Sequence, residues 1–374
     1  MIEVSRYILA LVVTLTHLQP LGVGRPGSIA VFAFYTLSGY LMTRVLVERY
    51  GFTARGTAAF LLNRVLRLWP AYLAILGLTL IALWFLPLQN FFPLIRFPKT
   101  LPDIVSNIAV LGQVTFDFLQ WQPLAKPVVT SWSLSIEVFC YVLLAVYFAR
   151  TPARLWAFAA IGAIALGFST WHCAVSADPS LYSAYCYQNR YGVLQAAFIP
   201  FAMGGLFYFH SRSVRSWINA NWGALIVLLV AAIAATFLGH AISATVGPYL
   251  GIGVMFCLLS IWNGQSGNSI QDFFGRASYH LFIGHMPIAA VLVTGLTLTQ
   301  GSVFVFLAAV IVAFALSLGL VPLERNINVM RRRIAKMSKP NGEEPTKGHD
   351  LLEHQPAATR EAAMEAFAKS WRRE

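Results

Sequence analysis

The chain has 374 residues, 57% of them hydrophobic and only 11% charged, with a mean hydropathy of +0.65. This composition excludes a soluble globular domain, and long apolar runs in place of short alternating segments exclude a transmembrane barrel. The formal charge of +12 falls in short clusters between apolar runs and in the C-terminal stretch, which is a topology signal and gives no ground for nucleic-acid binding.

Apolar runs of spanning length, or close to it, occupy 7–22, 28–47, 68–88, 131–149, 155–172, 192–209, 222–239, 246–262, 277–297 and 302–322. The predicted fold is therefore an all-α, polytopic transmembrane helical bundle of about ten spans, with the lipid bilayer as its solvent. The first run is read as a retained span: Glu3 and Arg6 cancel in the segment before it, His17 lies inside it, and no clean small-residue cleavage site follows. The stretch 103–120 carries Asp103, Asn107, Gln113 and Asp117, which predicts a re-entrant or interfacial element.

Sidedness follows from Lys and Arg in short loops. With the N-terminus inside, the inner loops hold Arg49, Arg55, Arg64, Arg67, Arg150, Arg154, Arg212, Arg215 and Arg276. The outer loops hold only Arg25, Arg96, Lys99, Lys126 and Arg190. Both termini are expected to be cytoplasmic. Residues 1–325 form the expected transmembrane domain, and 326–374 a cytoplasmic tail, basic at first and partly disordered. No internal repeat of the kind found in secondary transporters is visible.

Cys140 and Cys257 lie in apolar runs and are read as packing residues. Cys173 and Cys186 share one polar loop, expected outside, where a disulfide closing about a dozen residues would stabilise it by roughly 3 kcal/mol. No CxxC motif or Cys/His cluster suggests a metal.

In chain order, the first candidates for chemistry are Arg6 and His17. Ionisable groups in a span are costly and usually functional. At 1.5 Å per residue the two lie about 16 Å apart along a helix. Arg64 and Arg67, three apart and on one face, mark the cytoplasmic end of the third run, level with Arg6. Three guanidiniums at one depth suit a multiply charged phosphate anion, whereas ordinary snorkelling at a helix end is the plainer reading. A neutral imidazole at His17 is suited to taking a proton from a hydroxyl near pH 7.

Glu137, in Ser131-Trp132-Ser133-Leu134-Ser135-Ile136-Glu137, needs a partner or a proton, and orienting His17 is its predicted use. Ser133 and Ser135 are open to two readings, nucleophile or structural residue, with helix capping by Ser131 or Ser133 preferred because no G-x-S-x-G elbow surrounds them. His285 is also open: Pro287 cannot donate to the Ile283 carbonyl, so the histidine either satisfies a broken helix or serves the chemistry.

Taken together, these motifs resemble acyltransferase family 3, the integral-membrane O-acyltransferases of bacterial surface glycans. The resemblance rests on Arg6-x10-His17, on Phe34-Tyr35-Thr36-Leu37-Ser38-Gly39-Tyr40-Leu41, on Arg64-x-x-Arg67 followed by Pro70-Ala71-Tyr72, and on Ser131 to Glu137. Near the end it continues through Ser278-Tyr279-His280-Leu281-Phe282-Ile283-Gly284-His285-Met286-Pro287-Ile288. It covers about residues 1–325. Departures are Ile2-Glu3 for a Leu-Asp pair, Phe32 where an Asp is frequent, Gly284 for a Trp, and Val138 for a second acidic residue.

The resemblance implies a stand-alone family member in the bacterial inner membrane, moving an acyl group, usually acetyl from acetyl-CoA, to a hydroxyl of a glycan or lipid-linked sugar. It implies His17 and Glu137 as catalytic residues and Arg6, Arg64 and Arg67 as the donor site. Trp132, Ser133, Ser135 and His285 are then supporting residues. The competing class is a transporter or flippase of a lipid-linked glycan, which would not release coenzyme A thiol. A scaffold in a glycan-assembly complex, for which His17 is dispensable, is the third.

Overall fold

The computed structural model describes residues 2–19, 26–110, 125–175, 191–238, 247–262 and 269–337. Among the described residues it is helical throughout, with no β-strand. The helices are α1 (Ile2–Leu18), α2 (Gly27–Val45), α3 (Ala54–Phe85), α4 (Leu101–Ala109), α5 (Ser131–Val146), α6 (Pro152–Val175) and α7 (Phe198–Phe209). They continue as α8 (Ser211–Ala220), α9 (Trp222–Leu238), α10 (Gly247–Ile261), α11 (Ser269–Gly295), α12 (Val303–Gly319) and α13 (Val321–Met337).

Where they are described, the ten apolar runs fall mainly on these helices, with 302–322 crossing from α12 into α13. Among the described residues, four helical segments are long and apolar enough to cross a membrane: Gly27–Tyr50, Ala54–Phe85, Pro152–Trp171 and Ile270–Gly295. The pair Val303–Gly319 and Val321–Ala335 passes the same test jointly but bends by 54°. Ser131–Val146, Leu194–Phe209 and Pro248–Ile261 are shorter apolar helices.

The centre of the assembly is α2, packed against α7, α10 and α1. Lipid offers helices no hydrophobic reason to associate, so close backbone approach must supply the contact. Gly39 on α2 meets the Phe201 backbone of α7, and Gly204 on α7 meets the Thr36 and Tyr40 backbone of α2. A side chain at either position would push the two helices apart, and Phe32, Thr36 and Phe201 are accordingly sealed at 0% exposure.

The second organising contact is α1 against α11, with α12 behind it. Ala10, Leu281 and Ala313 form its small apolar seam. A separate cluster of Leu18, Leu83, Leu88, Met286, Ala289 and Val305 closes one end of the molecule.

The polar residues of the 103–120 stretch have structural uses where they are described. Asn107 donates to the Asp103 carbonyl at 2.8 Å and the Ala125 carbonyl at 2.9 Å. Tyr72 and Trp69 of α3 donate to the last carbonyls of α4, those of Asn107 and Ile108, at 2.7 and 3.0 Å. These satisfy helix-end groups that would otherwise be buried without partners. Val110, in the left-handed region at φ 65°, ends the helix.

Helix α13 runs through the boundary predicted at 325/326 and continues to Met337. The first compact unit extends to Ser338, and the second, Lys339–Glu374, lies outside the described residues. Cys186 of the predicted Cys173–Cys186 disulfide also lies outside them. Cys140 is a buried free thiol and Cys257 a half-buried one.

Candidate active site

Helix α1 carries the two ends of the site. Its packing on α11 turns His17 toward His285, and the imidazoles meet with Nδ1 of His17 2.7 Å from Nε2 of His285. The rings are nearly parallel, with centroids 5.0 Å apart. His285 is fully buried at 0% exposure, whereas His17 is exposed.

The hydrogen-bond chain fixes the tautomers. Nδ1 of His285 lies 3.1 Å from the Leu281 carbonyl. A carbonyl only accepts, so Nδ1 of His285 carries the proton and its Nε2 holds a lone pair. His17 therefore donates through Nδ1–H, which leaves the lone pair on its own Nε2. His285 thus fixes the tautomer and direction of the His17 ring, as a carboxylate does for the histidine of a serine-hydrolase triad.

The sequence reading that His285 satisfies a helix broken by Pro287 is not the arrangement found. The Ile283 carbonyl, which Pro287 cannot serve, accepts from the Thr130 hydroxyl at 3.3 Å. That bond also ties the start of α5 to the middle of α11.

The predicted pairing of Glu137 with His17 is not made. Glu137 and Tyr141 lie one turn apart on the face of α5 turned to α2, and the carboxylate accepts from the Tyr141 and Ser38 hydroxyls. It lies within electrostatic reach of Arg64. The α5 face that bears it points to α2 and the arginines, while His17 points to α11.

The predicted capping by Ser131 or Ser133 is also replaced. Thr130 is the N-cap residue of α5, without a side-chain cap bond. Ser133 donates back to the Thr130 carbonyl at 2.8 Å, so its proton goes to the backbone and not to a base. Ser135 is buried. Trp132 packs edge-on to Tyr191, with ring centroids 5.4 Å apart.

The arginines do converge. Arg6, Arg64 and Arg67 lie within electrostatic range of one another. A fourth guanidinium, Arg331 of α13, lies in range of Arg64 and Arg67. Glu3 is 3.9 Å from Arg6. Among the described residues, no carboxylate lies within ion-pair distance of Arg64, Arg67 or Arg331. The Nε atoms of Arg6 and Arg64 are buried with no hydrogen-bond partner. Buried donors of this kind are normally satisfied, so the cluster has the charge and the free donors that an anion would use.

A pocket lies between the two ends. Arg6, Glu137 and Ser133 line it together with Val31, Phe34, Tyr35, Leu134, Ser278, Tyr279 and Phe282. Gly27 lies against Thr16, so α2 starts at the level of His17. Val31, Phe34 and Tyr35 are therefore one to two turns from the histidines toward the arginines. The walls are mostly apolar. The Tyr35 hydroxyl is buried in them and has no hydrogen-bond partner among the described residues.

Sequence reasoning missed Tyr35 and Arg331. Tyr35 was visible as one residue of a motif, but nothing in the sequence shows its hydroxyl unpartnered. Arg331 looked like one more basic residue of a tail. Among the described residues, no group of three or more His, Cys, Asp or Glu could hold a metal.

Apolar helices thus enclose an arginine cluster, a narrow pocket and an oriented imidazole. The acyltransferase domain of acyltransferase family 3 matches residues 2–321, and the chain belongs to that family. No curated protein and no solved structure matches the chain.

Proposed function

We propose that the protein moves an acetyl group from acetyl-CoA to a hydroxyl of a surface or exported glycan, as a multi-pass protein of the bacterial inner membrane. In this reading the ten apolar helices all cross the bilayer and both termini are cytoplasmic, as the distribution of Lys and Arg in short loops supports. Arg6, Arg64 and Arg67 hold the donor's phosphates at the cytoplasmic face. The mostly apolar pocket takes the extended pantetheine arm, and the thioester lies toward His17.

The observation that carries this reading is one helix, α1, that brings Arg6, with its Nε unpartnered, to Arg64 and Arg67 at one end and, about 16 Å away, holds an imidazole with a free ring nitrogen at the other.

Nε2 of His17 takes the proton of the acceptor hydroxyl as its oxygen attacks the thioester carbonyl. The tetrahedral intermediate collapses with cleavage of the C–S bond. The imidazolium returns the proton to the departing thiolate, giving the ester and coenzyme A thiol. While charged, His17 keeps its Nδ1–H bond to His285, so the ring holds its position through the transfer.

The test is thiol release from purified protein supplied with acetyl-CoA, with and without acceptor glycan. Acceptor-dependent release supports the reading. Glycan movement without thiol release would place the protein among transporters. Mass spectrometry of surface glycan from cells with and without the protein identifies the acceptor, one acetyl mass being gained per modified unit.

A further inference from the structure

Helix α13 lies almost wholly beyond the family match, which ends at 321, yet it is built into the arginine site. Asn63, 4% exposed on α3, is the fastening. It donates to the Arg331 carbonyl at 3.2 Å and accepts from Nε of Arg331 at 3.1 Å. The same amide oxygen accepts from Nη2 of Arg64 at 3.0 Å. One asparagine thus holds two guanidiniums side by side. Asn328 takes Nη1 of Arg331 at 2.7 Å. These partners are neutral, so they orient the guanidinium without cancelling its charge. At the start of α13, Glu324 is held by Arg276 at 3.1 Å and His280 at 3.2 Å, both on α11. The helix is therefore fixed at two points, and Arg331 is delivered to a set place.

That place orders the arginines. On α3, Asn63 and Arg64 lie one turn nearer the helix start than Arg67, and Arg331 sits on Asn63. Arg6 lines the pocket, Arg64 and Arg67 are within electrostatic range of Arg6, and Arg331 is within range of Arg64 and Arg67, so Arg331 stands at the far end of the series from the pocket. A coenzyme A molecule whose arm enters the pocket presents its pyrophosphate first and its ribose 3′-phosphate last.

Resting on the acetyl-CoA reading above, we propose that Arg331 binds the ribose 3′-phosphate of the donor and makes the enzyme selective for coenzyme A thioesters over donors that lack this group. A phosphomonoester carries up to two charges and matches a guanidinium fork, which a lysine ammonium does not reproduce.

The test compares acetyl-CoA with 3′-dephospho-acetyl-CoA on the full chain in detergent, by direct binding and by steady-state rates. The parent should bind the dephospho donor about tenfold more weakly, the usual scale for one charge-assisted bond. Arg331→Ala should lose about as much toward acetyl-CoA, with kcat little changed, and should no longer distinguish the two donors. Arg331→Lys should recover part of the discrimination. A parent that uses both donors equally overturns the proposal without any variant. So does an Arg331→Ala protein that still discriminates, since weakening of both donors alike is what a merely structural helix would give. A parent that binds neither donor refutes the acetyl-CoA reading itself.

Discussion

The two ends of the candidate site are built by different rules. At the arginine end, α1, α3 and α13 each contribute guanidiniums, held by amides and neighbouring side chains, and charge is left unbalanced. At the histidine end, two helices contribute one ring each, and the rings satisfy one another and a single carbonyl within an apolar surround. The contrast is what a division of labour requires. A site that binds needs surplus charge, and unspent donors are its signature. A site that moves a proton needs one lone pair in a fixed direction, so every other valence around it is filled.

Removing the base should therefore separate the ends most sharply. His17→Ala should lower turnover by about 10²–10⁴-fold, the range for general-base catalysis, while donor affinity stays within about twofold. Retention of activity within about threefold, under roughly 1 kcal/mol in the barrier, would take His17 out of the mechanism.

The opposite signature belongs to the other end. Arg64→Ala or Arg67→Ala should weaken acetyl-CoA binding by about 10–100-fold, and Lys should restore only part of it. Unchanged affinity in either variant would mean that the unpaired guanidiniums serve helix packing or topology instead.

His285 sharpens the comparison further. His285→Asn should leave KM for the donor unchanged and lower kcat by about tenfold or more. In combination with His17→Ala it should add nothing, because the pair acts as one unit. A rise in KM with kcat preserved would contradict the tautomer argument.

The sequence made the arginine end legible and the histidine end only half so. Arg64 and Arg67 declare themselves by a spacing of three on one helix, a local relation that periodicity exposes. Arg6 and His17 share α1 for the same reason. The His17–His285 contact joins residues 268 apart, and no local pattern predicts which face of α1 meets which face of α11. Glu137 was matched to His17 only as a carboxylate in need of a partner. Its partner Ser38 lies well along α2 from Gly27, the residue level with Thr16, so Glu137 sits toward the arginines, and the face of α5 that bears it and Tyr141 is turned to α2. The helices themselves were readable because apolar runs of spanning length have few other folds. Arg331 was hidden because a basic run after the last span has a sufficient explanation in topology alone.

Glu137 gives the smallest expected effect and decides which end it belongs to. A carboxylate that oriented the base would depress kcat when neutralised and would act non-additively with His17→Ala. The observed partners argue otherwise. Glu137 accepts from two hydroxyls on α2 and its own helix, and it lines the pocket with Arg6. Both hydroxyls bond the same oxygen, Oε1, so Glu137→Gln keeps an acceptor for both but removes the negative charge near Arg64. Two consequences should follow. Thermal stability should fall modestly, by about 1–2 kcal/mol, as the two charge-assisted hydroxyl bonds become neutral ones. The catalytic loss should be small and should multiply independently with the loss from His285→Asn. The double variant His285→Asn/Glu137→Gln measures this directly. Independent losses place Glu137 in the scaffold of the arginine end. A double variant no slower than His285→Asn alone would restore the carboxylate to the proton-transfer unit and require the α5 face to turn toward His17 during turnover.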